Sequence, residues 1–488
     1  MKCKDLLNGL VENTSLVPDI EIQSITDRHD EIDSATCFVI TKGVTKDKGY
    51  EIEIAKNKRP ALLISEWDVE ADFPTVRVEN ARRVLAHLLY RFYHIDLTGV
   101  HLIGVTGTNG KTTTATMLAQ ILRADGNTVG FIGTGKIKIA DKDITPEGYS
   151  MTTPDPTLLY PTLAKMIRAH CRYIVMEVSS HALALCKVDP LLFRLSVFTN
   201  LGEDHMDFHK TREAYLSAKR KLFLQSQTAV LNTDDEAARS LVGCAKETVC
   251  VGALYGRDAE ISDIEDGGLS GISFLYRRAQ ALQRFQLSMG GVHNVENAAL
   301  AITAASVLGV RLCVAKESIE KTQVVGRMEK ILASPLVIVD YAHTPQAMKC
   351  ALKTARRHLN LGQRVFCLFG CGGDRDREKR SVMARIAEEY ADFTVVTEDN
   401  SRSEDTMQIL KDILGGFQRE SHLCIKDRAR AIAYLIELAE PEDVILLFGK
   451  GHETTLRRAG ETVEFDERKI VRAAYKRKKE GHTKRYED

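Results

Sequence analysis

Gly104-Val-Thr-Gly-Thr-Asn-Gly-Lys-Thr-Thr-Thr114 is the stretch of sequence that decides the fold of the central part of this chain. It follows an apolar run at 100–105 and precedes a helical pattern at 115–122 that stops at Gly126. A strand, a glycine-rich turn and a helix start, in this order, form a cradle for phosphate. Backbone N–H groups point into the turn, and the positive end of the helix dipole attracts an anion. The stretch therefore predicts a site for a nucleoside triphosphate.

Two side chains of this stretch have the chemistry that a triphosphate needs. Lys111 can reach the outer phosphates, and Thr112 offers a hydroxyl to Mg²⁺. The strict pattern G-x-x-x-x-G-K-[ST] is not met, because Val105 stands where its first glycine is expected. An ordinary turn between a strand and a helix can also be rich in glycine. Gly-Lys-Thr in this position nevertheless favours nucleotide binding.

The composition is that of a globular protein, and it bounds the class. The chain of 488 residues is too long for one core, and about 100–200 residues per domain predict three domains. Lys and Arg together number 67, as do Asp and Glu, so we expect neither nucleic acid nor a membrane as a partner. The eleven cysteines include no C-x-x-C pair, which argues against a disulfide framework or a zinc site. With no signal-peptide core and no apolar run of about 18 residues, the sequence predicts a cytoplasmic protein.

Alternating strand and helix patterns divide the chain into three α/β domains. Residues 1–97 are predicted to form a small N-terminal α/β domain, in which 80–92 is the clearest helix. Residues 98–328 are predicted to form a central P-loop ATPase-like domain with a mostly parallel sheet and a short added hairpin at 258–285. Residues 329–488 start a new series of strand–helix units, which predicts a C-terminal Rossmann-like domain.

Acidic and histidine side chains follow strands of the predicted central domain. Glu177 ends an apolar strand, where a carboxylate is costly to bury unless a cation pairs with it. Mg²⁺ is the candidate cation, because it prefers oxygen ligands and Thr112 supplies another. A glutamate in solvent at the strand end is the alternative. His205 and His209 stand four residues apart in the loop 200–209, but no third ligand has the spacing of a zinc site.

Four loops rich in Gly, Asp, His or Arg each follow a strand of the predicted C-terminal domain, at 341–345, 370–376, 399–402 and 449–453. The carboxyl ends of parallel strands meet at one edge of a sheet, where open α/β folds bind their ligands. One such loop alone could be a turn, whereas four together predict the rim of an active site. Arg375 and Arg402 would suit a bidentate grip on a carboxylate.

Taken together, these motifs resemble the Mur ligases, which are ATP-dependent amide-bond ligases of peptidoglycan synthesis, and within that family the MurE branch. The resemblance covers about 102–468 and rests on TGTNGKTTT, MTTPDP, MEVSSHAL, FTNLGEDHMDFH, AKRKLF, HNVENAA, GRME, DYAHTP, GCGGDRD, DNSR, GKGHE and FDER. It implies transfer of the γ-phosphoryl group of ATP to a carboxylate of UDP-MurNAc-L-Ala-D-Glu. A diamino acid then attacks the acyl phosphate, and ADP and phosphate are released. It also implies that the third domain closes onto the central one.

The resemblance implies roles for the residues of the central site. Lys111 is expected to contact phosphate, Thr112 and Glu177 to bind one Mg²⁺, and His205 to bind a second Mg²⁺. Lys219, which the pattern alone would place on the cationic face of an amphipathic helix, matches the lysine that the family carbamylates. Carbamylation turns this cation into an anion that helps to hold Mg²⁺. The positions expected to hold ATP are Gly107, Thr108, Asn109, Gly110, Lys111, Thr112, Thr113, Asn294, Asn297, Arg327 and Asp340.

The resemblance also implies positions for the two other small-molecule substrates. The UDP-sugar peptide is expected at Asp27, Thr152, Thr153, Ser179 and Lys187, and the amino acid at Arg375, Asn400, Arg402, Gly449 and Glu453. MurE enzymes that use meso-diaminopimelate have the loop D-N-P-R, whereas 399–402 reads D-N-S-R here. Loss of proline frees the backbone but keeps the charges that recognise the ligand. We therefore predict meso-diaminopimelate, with L-lysine or another amine as the alternative.

The N-terminal domain departs from the family pattern that seats uridine. The family's D-S-R-x-V-x-P-G-D-L-F-V-A reads D-R-H-D-E-I-D-S-A-T-C-F-V at 27–39, and Tyr50 replaces the histidine of D-G-H. Lys187 stands where many relatives have arginine, and Met151 where some have asparagine. A ligase acting on a different carboxylate is therefore one alternative, and a P-loop switch with substrate-independent ATP turnover is a remote one. We expect the protein to be a monomer.

Overall fold

The computed structural model describes residues 1–11, 19–41, 48–357, 359 and 362–487. Three sheets built largely from parallel strands follow one another along the chain, and a two-stranded hairpin is added near the end. This confirms the predicted α/β class with mostly parallel sheets. The domain boundaries at 97/98 and 328/329 stay predictions. No helix in the described residues is both long enough and apolar enough to cross a membrane.

The first sheet has the order β1-β2-β3-β4, and all of its pairs are parallel. Its elements are α1 Cys3–Leu7, β1 Ser24–Thr26, β2 Thr36–Val39, α2 Lys48–Lys58, β3 Leu62–Ser65, β4 Thr75–Arg77 and α3 Ala81–Phe92. Helix α3 confirms the predicted helix, and the Asn80 side chain caps it by accepting from the backbone N–H of Arg83 at 2.9 Å. The helix buries Val84, Leu85 and Leu88 against the sheet because they recur on one face.

The second sheet has eleven strands in the order β15-β14-β13-β12-β11-β10-β5-β9-β6-β7-β8. The elements of its first half are β5 His101–Thr106, α4 Lys111–Ala124, β6 Val129–Gly133, β7 Lys136–Ile139, β8 Lys142–Asp143, α5 Pro156–Arg168, β9 Tyr173–Glu177, α6 Ser180–Ala184 and β10 Phe193–Phe198. Those of its second half are α7 Met206–His209, α8 Arg212–Leu224, β11 Ser226–Asn232, β12 Glu247–Gly252, β13 Ala259–Asp266, β14 Ile272–Arg278, β15 Ala281–Leu287, α9 Val292–Val307 and α10 Leu312–Lys321. Strand β5 lies near the middle, between β10 and β9, and pairs with both in parallel.

The segment predicted as a short hairpin at 258–285 is larger than expected. It forms three strands, because β13 continues the parallel series next to β12 before β14 and β15 pair antiparallel. Buried aromatic side chains on alternate positions give this extension its own apolar face. The rings of Phe274 and Phe285 stack with centroids 5.6 Å apart, and the Tyr276 hydroxyl lies 2.8 Å from Thr303 Oγ1 of α9.

The third sheet has the order β16-β17-β21-β18-β19-β20, in which only β16 runs antiparallel to its neighbour among the described strands. The elements are β16 Glu329–Ala333, β17 Leu336–Asp340, α11 Pro345–Arg357, β18 Val365–Phe369, α12 Glu378–Tyr390, β19 Phe393–Val396, α13 Thr406–Leu414, β20 His422–Cys424, α14 Arg428–Leu438, β21 Val444–Phe448, β22 Thr455–Arg458, β23 Glu461–Glu464 and α15 Glu467–Glu487. The four predicted rim loops follow β17, β18, β19 and β21. These strands are adjacent and parallel, so the prediction that the loops share one edge is confirmed.

A buried ion pair ties this edge to the last two helices. Arg428 begins α14 and Glu467 begins α15, and neither side chain is exposed. The Arg428 Nε donates to Glu467 Oε1 at 2.8 Å. Its other nitrogens donate to the carbonyl oxygens of Glu398 at 3.2 Å and Phe448 at 2.6 Å. The pair therefore holds the backbone just beyond β19 to the end of β21.

We predict that Glu467→Ala destabilises the C-terminal part of the chain by about 3–5 kcal/mol, because it leaves the Arg428 guanidinium buried without its carboxylate. Chemical denaturation followed by circular dichroism measures the change. Lys469→Ala is the matched control, since its ion pair with Glu464 is exposed on both sides and contributes little. A wild-type unfolding transition for Glu467→Ala would contradict the prediction.

Candidate active site

The phosphate loop lies between β5 and α4, and two of its glycines are required by close approaches. Gly110 precedes the helix with φ of 82°, and a β-carbon there would overlap Asn297 Oδ1. A β-carbon on Gly107 would overlap Thr199 Oγ1. The loop is therefore pressed against α9 on one side and against the end of β10 on the other. Only glycine fits these two positions.

Asn200 and Lys111 fix the inside of the loop. The backbone N–H groups of Thr108 and Asn109 donate to the carbonyl and side-chain oxygens of Asn200, both at 2.9 Å. The Lys111 Nζ donates to the carbonyls of Gly107 and Thr108 at 2.9 and 2.7 Å. Burial lowers the pKa of Lys111, and the charges of Glu177 and Asp204 oppose that effect. The phosphate loop thus encloses the lysine, which would bind the same phosphates as the loop.

Glu177 is a fully buried carboxylate at the end of β9. Its Oε2 accepts from Thr112 Oγ1 at 2.9 Å and from Thr134 Oγ1 at 3.1 Å, and its Oε1 accepts from the Thr134 backbone N–H at 3.0 Å. Within the described part of the chain, no lysine, arginine or histidine forms an ion pair with it. A buried anion held only by neutral donors is the setting in which a bound cation is expected. Its oxygens and the Thr112 hydroxyl are ligands that suit Mg²⁺.

Lys219 lies on α8 with 1% of its surface exposed. Its Nζ donates to the Gly107 carbonyl at 2.9 Å and lies 4.3 Å from the ring centroid of Tyr215. The Tyr215 hydroxyl in turn lies 3.1 Å from Thr108 Oγ1. Burial, and then repulsion from Lys111, hold the pKa of Lys219 well below its ordinary value. Burial therefore makes the charged amine less favourable here than on a lysine in water, which no sequence pattern indicated.

A cluster of aromatic and histidine rings surrounds this lysine. The centroid of His181 lies 4.7 Å from that of His205 and 4.2 Å from that of Phe208, and His209 lies 4.9 Å from Tyr215. Burial lowers the pKa of His181, His205 and His209 to about 4 each. Neutral imidazole is the form that binds metals. The described residues contain no group of three or more His, Cys, Asp or Glu side chains arranged for a metal, so His205 would need a further donor.

The residues predicted to hold ATP meet around the phosphate loop. In α9, Asn294 Nδ2 donates to the Gly290 carbonyl at 2.8 Å, and Asn297 Oδ1 accepts from Thr114 Oγ1 at 3.3 Å. Thr113 is buried in the first turn of α4. Arg327, from beyond α10, reaches Thr112 Oγ1 with its Nη2 at 3.5 Å.

Arg327 and Asp340 differ in how many of their polar side-chain atoms form hydrogen bonds. The Arg327 guanidinium lies over the Tyr341 ring at 4.6 Å, and its buried Nε has no hydrogen-bond partner among the residues that the structure describes. Asp340 already accepts from the backbone N–H groups of Met328 and Ala342, both at 2.7 Å. Asp340 therefore fixes the backbone at the end of β17, whereas Arg327 keeps an unused donor beside the phosphate loop.

Four of the five residues predicted to bind the UDP-sugar peptide either come after Glu177 in the chain or belong to the segment that contacts it. Thr152 Oγ1 lies 3.1 Å from Thr134 Oγ1, and Thr153 Oγ1 donates to the Glu177 carbonyl at 2.9 Å. The backbone N–H of Ser179 donates to Thr153 Oγ1 at 2.9 Å. Lys187 pairs at 2.6 Å with Asp155, which belongs to the same segment as Thr152 and Thr153. Asp27 lies apart from them, in the bend that follows β1 in the first sheet.

The residues predicted to hold the amino acid form two groups on the rim. In one, buried Lys450 donates from Nζ to Asn400 Oδ1 at 2.8 Å and to Glu453 Oε2 at 2.7 Å. Asn400 Nδ2 also donates to Glu453 Oε2 at 2.8 Å. Gly449 has φ of 108°, and a β-carbon there would approach Asp399 Oδ2 at 2.5 Å. Sequence reasoning missed Lys450, although it stands inside the quoted GKGHE motif.

The other group consists of two guanidiniums. Arg402 donates to the Gly373 carbonyl at 2.6 Å, and Arg375 donates to the Asp374 carbonyl at 3.1 Å. Burial, and then repulsion from Arg375, lower the pKa of Arg402. Two arginines that repel each other and donate to neutral carbonyls are a suitable receptor for a carboxylate.

Comparison with known proteins accounts for this arrangement. Residues 105–305 match the Mur ligase middle domain, and residues 326–451 match the Mur ligase glutamate ligase domain. A similar protein is the UDP-N-acetylmuramoyl-L-alanyl-D-glutamate–2,6-diaminopimelate ligase of Caldanaerobacter subterraneus subsp. tengcongensis. It is 34% identical over 97% of this chain and 98% of its own length.

Two solved structures share the fold. A UDP-N-acetylmuramoyl-L-alanyl-D-glutamate–2,6-diaminopimelate ligase superposes with a TM-score of 0.69 and 28% identity, over 98% of this chain and 99% of that one. The MurF ligase of Thermotoga maritima in complex with ADP superposes with a TM-score of 0.62 and 19% identity, over 94% of this chain and 98% of that one. With matching domains in the same order and a relative similar over nearly its whole length, the chain belongs to the Mur ligase family.

Proposed function

We propose that this chain is an ATP-dependent ligase that joins meso-diaminopimelate to UDP-MurNAc-L-Ala-D-Glu through an acyl phosphate, as part of peptidoglycan synthesis. The observation that carries the proposal is the hydrogen bond between Thr112 of the phosphate loop and the buried carboxylate of Glu177. It supports a divalent-cation site beside the loop that would hold the triphosphate. The relative from C. subterraneus, named for this reaction, supplies the substrates. A cytoplasmic monomer that binds no nucleic acid is part of the proposal.

ATP fits the phosphate loop and its surroundings. Backbone N–H groups at the start of α4 face an anion, as in other helix-terminal phosphate sites. Lys111 would contact the outer phosphates, and the Arg327 guanidinium gives a second cation, with its Nη2 3.5 Å from Thr112 Oγ1. The MurF ligase of T. maritima, which shares the fold, was solved with ADP.

Two Mg²⁺ ions would be held by different ligand sets. Thr112 and Glu177 would hold the first, because both are oxygen donors that already touch each other. His205 and a carbamate on Lys219 would hold the second. Bound Mg²⁺ offsets the negative charge that accumulates when a phosphoryl group meets a carboxylate.

Lys219 has the environment that carbamylation requires. Carbamylation joins the neutral amine nitrogen to the carbon of CO₂ and releases one proton, so that a carboxylate-like group replaces the amine. Its lowered pKa favours the reactive neutral amine. The product also removes the repulsion between Lys219 and Lys111. The same burial that makes the cation unfavourable thus favours the modified form.

Different side chains would act in phosphoryl transfer and in attack by the amine. Lys111 and Arg327 would stabilise the transferring phosphoryl group, while Thr152, Thr153 and Lys187 would hold the UDP-sugar peptide with its carboxylate toward that group. The amine of the diamino acid then attacks the acyl carbon, and the C–O bond to phosphate breaks. Asn400 and Glu453 would hold the amino-acid end that reacts.

Selection of the amine is assigned to the arginine pair. The distal carboxylate of meso-diaminopimelate would lie between Arg402 and Arg375, whereas lysine has no carboxylate at that end. Ser401 replaces the proline of the family motif but is itself 2% exposed. Its carbonyl also packs so closely on Gly373 that a β-carbon there would overlap it. The loop is therefore fixed by packing.

The decisive experiment measures phosphate release from ATP and Mg²⁺ with UDP-MurNAc-dipeptide and one amine at a time. We expect release that depends on both substrates and is fastest with meso-diaminopimelate. Release with lysine alone would assign the alternative amine. Release that needs neither substrate would instead support an ATPase switch, and none with any amine would point to a different carboxylate substrate.

We predict that Arg402→Ala lowers kcat/KM for meso-diaminopimelate about 100-fold, as expected for loss of about 3 kcal/mol in hydrogen bonds to a charged group. The KM for ATP should stay unchanged, because Arg402 lies on the rim, away from the phosphate loop. Arg430→Ala, in α14, is the matched arginine control. An equal loss with lysine as the amine would contradict the role in reading the distal carboxylate.

We predict that Lys219→Ala lowers kcat at least 100-fold, because the carbamate that helps to hold Mg²⁺ cannot form. The protein should nevertheless fold, since removing a buried amine leaves no unpaired charge. Two measurements check this: steady-state kinetics with and without added acetate as a small carboxylate, and ¹³C NMR after incubation with labelled bicarbonate. A labelled carbamate signal that persists in Lys219→Ala would show that another lysine carries it.

A further inference from the structure

The hairpin formed by β22 and β23 packs on the loop that would hold the amino acid. The Arg457 backbone N–H donates to Asn400 Oδ1 at 2.9 Å. The backbone N–H of Arg402 donates to the Arg457 carbonyl at 3.4 Å, and that of Ala459 donates to the Arg402 carbonyl at 2.8 Å. The hairpin therefore sets the position of two residues predicted to bind the amine. Arg402 needs this support, since its φ of 51° is unusual for a residue with a side chain.

The side chain of Arg457 points the other way, to the central part of the chain. Its Nη2 donates to Ser150 Oγ at 3.0 Å and to the Gly148 carbonyl at 3.3 Å. Both acceptors are neutral and stand just before the MTTPDP motif. One residue thus touches the amino-acid loop with its backbone and the segment leading to the dipeptide site with its guanidinium.

Further hydrogen bonds link the segment that Arg457 contacts to the carboxylate of Glu177. The Met151 carbonyl accepts from the backbone N–H of Gly135 at 3.1 Å. Next to it, Thr134 Oγ1 lies 3.1 Å from Thr152 Oγ1 and donates to Glu177 Oε2 at 3.1 Å. A displacement of 148–150 would therefore reach residues predicted to hold the acid substrate and Mg²⁺.

A second close approach accompanies this contact. A β-carbon on Gly135 would lie 3.2 Å from His452 Nε2, so the GKGHE loop and the turn after β6 touch directly. His452 also packs on Tyr341, with ring centroids 4.9 Å apart. The C-terminal rim and the central site thus meet here as well, and Arg457 bonds to segments on both sides.

We propose that Arg457 is a positioning residue that locks the amino-acid loop to the dipeptide segment when the two parts of the site are closed on each other. It would not touch a reacting atom. Its effect would come through Asn400 and Thr152, and attack of an amine on an acyl phosphate is sensitive to misplacement of about 1 Å. This inference rests on the proposed function, because it assumes that these two residues hold the amine and the acid.

Steady-state kinetics test the coupling. We expect Arg457→Ala to raise the KM for the diamino acid and lower kcat, with a combined loss of about tenfold in kcat/KM, and to leave the KM for ATP unchanged. Arg457→Lys should fall between, because lysine keeps a cationic donor but its Nζ lies one bond nearer the backbone than the guanidinium Nη2 that reaches both acceptors. Ser150→Ala should act in the same direction, and the double variant should be no worse than Arg457→Ala. Arg277→Ala, which breaks a surface pair with Glu260, is the matched control.

Hydrogen exchange provides a readout that does not need activity. In the full-length protein without substrates, Arg457→Ala should speed amide exchange at both 148–152 and 399–402, while other segments keep the wild-type rate. If the wild type shows no amine-dependent turnover, the proposed function fails, and exchange still decides whether Arg457 couples the two segments. Unchanged exchange in either segment, or an equal rise in the KM of all three substrates, overturns the inference.

Discussion

The burial of the Glu177 carboxylate is the constraint on which the centre of the molecule depends. Its oxygens are shared by Thr112 at the start of α4 and by Thr134 just after β6, while its own backbone ends β9. The strands β6 and β9 and the helix α4 are therefore tied together by one anion. Neutral hydroxyl and amide donors compensate only part of the cost of burying it. The buried carboxylate therefore favours a bound cation at the point where the phosphate loop passes into α4.

The same region buries two amines that repel each other. Lys111 and Lys219 both donate to the Gly107 carbonyl, and the pKa of each is lowered. Such an arrangement reduces the stability of the folded state, and an apolar residue in place of Lys219 would avoid the repulsion. Conflicts of this kind concentrate at functional sites, where chemistry compensates for the lost stability. Glu177 and Lys219 are complementary in this respect, because among the described residues the first has no cationic ion-pair partner and the second has no anionic one.

Strong local patterns allowed much of the fold to be predicted. The glycine-rich stretch gave β5, the turn and α4, and the capped helix after Asn80 was equally clear. The rim loops could be placed on one edge because parallel strands end together. The three-stranded extension was underestimated, because the sequence between its strands holds ordinary turn signals and does not reveal pairing with β12. Lys450, Arg457 and His181 could not be identified, since each depends on contacts with distant segments that folding brings beside it.

The contact between the hairpin and the 399–402 loop has a consequence for protein engineering. Proline restricts the backbone of the loop that contains it. This rigidity can therefore be moved to another protein together with the few residues of that loop. Here Ser401 gives no such stiffness, and the left-handed backbone of Arg402 is held by hydrogen bonds to Arg457 and Ala459. Exchange of the loop alone between relatives would leave these bonds unmatched. Under the proposed function, amine preference in this chain is therefore a property of two separated segments, which recombination would have to transfer as one module.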